Sequence, residues 1–178
     1  MMAALLLLLL FASSGKALSG KKPAKRAAKA TADRFIGRPA PEFELAILGS
    51  SGTKAKLSEF GGKAVLLYFW ASWAGPCKIE MPWLVEFQEK YGGEGLQVLG
   101  IDLDNDDEQA KAIEFALTIG MNFPALVATE PMADFYGGVD GLPEAFFIDR
   151  NGRIVAHEIG LESQRTIEEH IQKALKGK

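Results

Sequence analysis

Seven consecutive apolar residues, Ala64-Val65-Leu66-Leu67-Tyr68-Phe69-Trp70, stand between Gly61-Gly62 and Ala71-Ser72. A run this short with no polar position predicts a central strand covered on both faces. After a brief loop, Ile79, Trp83, Leu84, Phe87 and Tyr91 recur at steps of three and four residues, the spacing of one helix face, and the pattern stops at Gly92-Gly93. Leu96 to Leu103 gives a second buried strand. Strand, helix and strand in this order imply a right-handed crossover joining parallel neighbours.

The pattern continues on both sides of that unit. Phe43 to Leu48, the turn residues Gly49-Ser50-Ser51-Gly52 and Ala55 to Leu57 predict an N-terminal hairpin. Downstream, a helix is expected to begin near Asp106 or Asp107 and to carry apolar surface on Ala110, Ile113, Phe115 and Ala116. Ala125 to Ala128, Ala145 to Ile148 and Ile154 to Glu158 predict strands, the last two joined through Asp149-Arg150-Asn151-Gly152, whose Asn-Gly pair favours a tight hairpin. Ile167, Ile171 and Leu175 predict a closing helix from about Glu162. The expected architecture is α/β: a mixed central sheet whose last strands are antiparallel, helices on both faces, and the hairpin at the start.

Residues ahead of Phe35 have a different character. Met1 to Ala12 is apolar throughout, and as a helix it would span about 18 Å at ~1.5 Å per residue, too short for a ~30 Å hydrocarbon core. It fits the apolar region of a secretory signal, with Gly15 and Ala17 as the small residues a signal peptidase reads; the alternative is an uncleaved membrane-surface anchor. Residues 1–17 are therefore read as a signal peptide or short anchor and 35–178 as the folded domain. Between them, residues 18–34 mix Gly, Pro, Ala and Lys without apolar periodicity and read as a basic linker. From Lys16 to Arg34 the net charge is +6, and from Phe35 onward it is −9. An acidic domain repels a nucleic-acid backbone, so no nucleic-acid partner is expected, and a membrane only through the N-terminal segment.

The chain has one cysteine, Cys77, so it cannot cycle an intramolecular disulfide. That cysteine lies in Trp70-Ala71-Ser72-Trp73-Ala74-Gly75-Pro76-Cys77-Lys78, between the buried strand and the helix. The stretch resembles the thioredoxin active site, whose pattern is Trp-Cys-Gly-Pro-Cys. Arg38-Pro39-Ala40-Pro41-Glu42-Phe43 resembles the entry segment of exported thioredoxin-like proteins, and Gly141-Leu142-Pro143, with Ala145 to Asp149 and Gly152, resembles their cis-proline strand and hairpin. The similarity covers most of residues 38–175 and points to the extracytoplasmic TlpA and ResA type of thiol:disulfide oxidoreductase, with redoxins as relatives.

The resemblance implies a thioredoxin fold, a location outside the cytoplasm, and a reaction in which the first motif cysteine attacks a substrate disulfide as a thiolate and the second resolves the mixed disulfide. Here Ala74 occupies the attacking position and Cys77 the resolving one. Glu80, one turn on, is a candidate modulator that would raise the thiol pKa, whereas Lys78 and the helix start would lower it. Trp73, Gly75, Pro76, Leu142 and Pro143 are implied as a surface for an extended peptide or a cysteine-containing protein, with a redox partner protein as a further expectation. Tyr68 stands where relatives often have a carboxylate or amide beneath the cysteines. The resemblance leaves three functions open: an oxidoreductase with a disabled dithiol cycle, a non-catalytic peptide-binding module, and a single-cysteine peroxidase. The peroxidatic Pro-x-x-x-Thr-x-x-Cys pattern is absent, Trp70 and Ala74 standing at its Pro and Thr.

Nothing calls for a cofactor or a metal. Asp102-Leu103-Asp104-Asn105-Asp106 opens like a calcium loop, but Asp107 replaces the glycine such a loop needs, and a solvated strand end is the expectation. His157 and His170 are expected at the surface, and Trp70 and Trp83 in the core.

Overall fold

The computed structural model describes residues 34–177. The signal or anchor expected over residues 1–17 and nearly all of the basic linker expected over 18–34 lie outside the described residues.

A two-stranded antiparallel hairpin, β1 (Glu44–Ala46) and β2 (Lys54–Lys56), precedes a five-stranded sheet. The sheet is built from β3 (Ala64–Trp70), β4 (Leu96–Asp102), β5 (Ala125–Val127), β6 (Glu144–Ile148) and β7 (Ile154–Ile159), in the order β5-β4-β3-β6-β7. Strands β3, β4 and β5 run parallel, while β6 and β7 pair antiparallel, as the sequence predicts for the last two. The helices are α1 (Gly75–Tyr91), α2 (Gln109–Thr118), α3 (Glu130–Phe135) and α4 (Gln164–Lys176).

All seven residues of β3 are buried. Alternation along the pleat divides them between two cores. Leu66, Tyr68 and Trp70 pack with α1, α2 and α4 through residues such as Leu84, Ala112 and Ile171. Val65, Leu67 and Phe69 pack on the other face with Leu45 of the hairpin and with Met132 and Tyr136 in and just after α3. Helices on both faces of a mixed sheet are thus observed, and the hairpin supplies much of the second cover.

Trp70 needs room to pack flat against its neighbouring strand. Gly100 provides it: a Cβ there would stand 3.0 Å from Trp70 Nε1 and 3.4 Å from the Phe123 ring. The β6–β7 turn is closed by Gly152, at φ +74°, and by the Asp149 carboxylate, which accepts from the amides of Asn151 and Arg153, both at 2.9 Å.

The structure corrects several local expectations. The buried stripe of α1 is Cys77, Glu80, Met81, Leu84, Phe87 and Tyr91; Ile79 is 50% exposed and Trp83 only partly buried. Residues 106–108 form a single 3-10 turn before α2, which buries Ala112 and leaves Ala110 exposed. The strand end is not solvated, for Asp102 and Asp104 are both buried. His157 is also buried, its Nε2 2.7 Å from Glu144 Oε1 and its ring stacked at 3.9 Å on Phe146. His170 is half-buried, 3.0 Å from Glu158. The helix α3 carries no periodic signal in the sequence because six residues span fewer than two turns.

Candidate functional site

Strand β3 delivers the chain to the start of α1 through Ala71-Ser72-Trp73-Ala74. Ser72 is fixed by one carboxylate: its amide donates to Asp104 Oδ2 at 2.7 Å and its hydroxyl donates to Oδ1 at 3.1 Å. Ala74 is the N-cap of α1 and, having no side-chain acceptor, makes no cap hydrogen bond. Pro76 follows in the first turn, where a missing N–H costs nothing because the helix would not use it. The helical rotation then turns Cys77 inward, fully buried, while Trp73 remains 62% exposed and Gly75, Pro76 and Lys78 face solvent.

Burial pushes the Cys77 thiol up to about 11. The Glu80 carboxyl adds to this, while hydrogen bonding from the Ala71 backbone and the Tyr68 hydroxyl opposes it. Lys78, expected to favour the thiolate, stands with its ammonium 5.9 Å from the Phe115 ring centroid instead. Glu80 is itself buried and held at both oxygens: Tyr68 Oη donates to Oε2 at 3.0 Å, and the Glu162 amide donates to Oε1 at 2.6 Å. Burial raises the Glu80 pKa, and those two donors pull it back. Tyr68 is driven far above its ordinary pKa by burial and by Glu80, so it acts here only as a neutral donor. The structure thus brings Cys77, Tyr68 and Glu80 into one buried group under the start of α1.

Above that group lies an open groove of about 550 Å³. One wall is Trp73, Ala74, Gly75 and Pro76, and the facing wall runs from Gly138 through Val139 and Gly141 to Leu142. Its floor includes Leu103 and Ala133. The Leu142–Pro143 peptide bond is cis, and Pro143 is buried behind Leu142. Trp73, Ala74, Gly75, Pro76 and Leu142, singled out in the sequence, therefore share one concavity, while Cys77 sits beneath it without lining it. Residues 71–95 separate the two strands that could have revealed the missed member: β3 and β4 pair in parallel from Ala64↔Leu96 to Trp70↔Asp102, a register that carries on to place Asp104 beside Ser72, 32 positions away. No cluster of three or more His, Cys, Asp or Glu side chains among the described residues is arranged to hold a metal ion.

Residues 36–157 match the model of the AhpC/TSA family. The thiol-disulfide oxidoreductase ResA of Bacillus anthracis is 33% identical over 138 residues, covering 78% of each chain. ResA of Geobacillus thermodenitrificans is 29% identical over 171 residues, covering 96% of this chain and 93% of its own. Among solved structures, a Chlorobium tepidum protein described as a DsbE thiol:disulfide interchange protein aligns with a TM-score of 0.70 at 34% identity, covering 79% of this chain and 97% of that one.

Proposed function

The chain belongs to the AhpC/TSA family, among its ResA-like thiol-disulfide oxidoreductases, and from that premise we propose that its dithiol cycle is stopped before the first step while its polypeptide-receiving surface is kept. The observation that carries this reading is the contrast at the start of α1. Ala74 lies on the groove, at the position from which an attacking thiolate would meet a substrate disulfide, and the one sulfur lies sealed beneath. A methyl group can neither ionise nor form a sulfur–sulfur bond, so exchange has no starting nucleophile. Cys77, with its raised pKa and no exposed surface, is in the condition of a resolving thiol and not of an attacking one. The same facts speak against a peroxidase, which needs an accessible thiolate.

The retained surface is apolar and concave, with an exposed indole at its rim, and is suited to an extended chain laid between Pro76 and Leu142. The partner is read as an extended peptide or cysteine-containing protein, and a redox partner protein becomes necessary only where an attacking thiol is present. The site of action is placed outside the cytoplasm; the apolar run Met1 to Ala12 and the small residues Gly15 and Ala17 support that placement.

The test is Ala74→Cys. In the variant, the introduced thiolate attacks an insulin disulfide and releases one insulin thiol; Cys77 then attacks the mixed disulfide, releasing the second, and dithiothreitol reduces the internal disulfide so formed. Expected are no insulin reduction above the dithiothreitol background for the unaltered chain and clear turnover for the variant. A folded variant with no gain would overturn the reading.

A further inference from the structure

Behind the carboxylate that holds Ser72 stands a second one. Asp102, at the end of β4, is 1% exposed, and Asp104 is 6% exposed. The two side chains act on each other. Asp102 Oδ1 accepts from the Asp104 amide at 3.2 Å, and the Asp104 carboxyl is near enough to affect Asp102 both as a hydrogen-bond partner and as a charge. Asp104 uses both of its oxygens on Ser72, at 2.7 and 3.1 Å. Asp102 Oδ2 is enclosed and accepts from no donor.

No cation balances the pair. Among the described residues, neither carboxylate lies within ion-pair distance of a lysine, arginine or histidine. Asp106, Asp107 and Glu130, which line one cavity with them, carry the same sign. On the neighbouring helices, Lys78 of α1 stands 5.9 Å from the Phe115 ring centroid, and Lys111 of α2 is engaged by Glu108 at 3.6 Å. Two ionised carboxylates enclosed side by side repel without compensation, so one of them keeps its proton to a higher pH than an isolated acid would. Asp104 accepts from two Ser72 donors, which favour its charged form, whereas Asp102 has the oxygen without a donor. The proton therefore belongs on Asp102. Burial first, and then the Asp104 carboxyl, push the Asp102 carboxyl up to about 7, while the Asp104 amide pulls it back.

We propose that Asp102 and Asp104 hold one proton between them, and that this proton governs how firmly Asp104 clamps Ser72 and, with it, the start of the groove wall at Trp73. With Asp102 protonated, its hydroxyl donates to the Asp104 carboxylate, which stays charged and accepts from Ser72. When the proton leaves for solvent, two like charges face each other in an enclosed space and the clamp weakens. Both aspartates are positioning residues, acting on the wall through Ser72, and the inference holds whatever the groove receives. Folding raises the Asp102 pKa from the ordinary ~3.9 to about 7, so the stability this group contributes is full below about pH 4 and is lost as pH rises through 7.

The experiment is amide hydrogen exchange at Ser72, followed by NMR on the full chain from pH 5.5 to 8.5 and corrected for intrinsic exchange. The protection factor is expected to fall about tenfold with a midpoint near 7, and to stay level in Asp102→Asn, whose side-chain amide donates to Asp104 at every pH. The urea midpoint of the unaltered chain should drop over the same interval, and that of the variant should not; the difference between the two chains removes whatever His157 and His170 contribute. A level Ser72 profile in the unaltered chain overturns the proposal, and so does an equal fall in the variant. Carbon-13 NMR of the side-chain carboxyls needs no substitution and decides the matter should the variant fail to fold. An Asp102 carboxyl that titrates between pH 6 and 8 supports the shared proton, and one that titrates outside that range overturns it.

Discussion

At the scale of single residues, Cys77 is defined by what covers it. With a pKa of about 11 and no exposed surface, only about one thiol in a thousand is ionised at pH 8, and that one is shielded. Because the pKa is raised, the reactive form appears as pH rises toward 11. Alkylation by iodoacetamide is therefore expected to be at least ~100-fold slower than for free cysteine at pH 8, and to climb about tenfold per pH unit up to pH 11. A rate that levels off below pH 9 would contradict this. The position and burial of Cys77 follow from a motif and a helical repeat, both local. Asp104 escapes such a reading because Ser72, which caps its carboxylate, lies 32 positions away, and His157 because Phe35, one of the two rings that enclose it, comes from outside its hairpin, the other, Phe146, being its cross-strand partner. No neighbouring residue announces either contact.

At the scale of elements, β3 was legible because a strand buried on both faces shows no polar position, β4 because only Gln97 interrupts its apolar run before Asp102, and the 149–152 turn because Asn-Gly favours the left-handed backbone that the turn uses at Gly152. The helix face of α1 is legible at Leu84, Phe87 and Tyr91, which are buried, but not at Ile79 and Trp83. Ile79 continues the apolar spacing yet faces out, because the rotation that buries Cys77 also buries Glu80, a carboxylate no apolar count would include. Tyr68 and the Glu162 amide make that burial tolerable by donating to both oxygens. Contact between β3 and β4 gives a sharper test. Gly100→Ala places a methyl 3.0 Å from Trp70 Nε1, between two rings that cannot both yield, and is expected to cost about 1–3 kcal/mol, read as a lower urea midpoint with an unchanged slope. An unchanged midpoint would mean that the indole shifts freely.

At the scale of the whole molecule, a −9 domain follows a basic segment and an apolar run. If the run is a signal, the protein expressed with its own N-terminus in a bacterium should be recovered outside the cytoplasm with a mass that begins after Ala17; full-length protein held in the cytosol would overturn the extracytoplasmic placement. The fold-level resemblance was readable because its motifs are ordered along the chain. The pairing of the two groove walls was not, since Trp73 and Leu142 belong to distant segments that only the antiparallel pairing of β3 with β6 brings together.

The two walls of the groove differ in stiffness. Trp73 to Pro76 hang from β3, the strand shared by both cores, and are pinned by Asp104 through Ser72, so that side cannot move without disturbing the sheet. The opposite side enters through Gly137 and Gly138, at φ +100° and +92°, and then Val139 at φ +51°, a conformation that disfavours a branched side chain. Relaxing that valine and using the glycines' freedom both alter the same wall. The backbone freedom around the groove therefore lies on the Gly137–Val139 side, opposite the wall that holds Ala74.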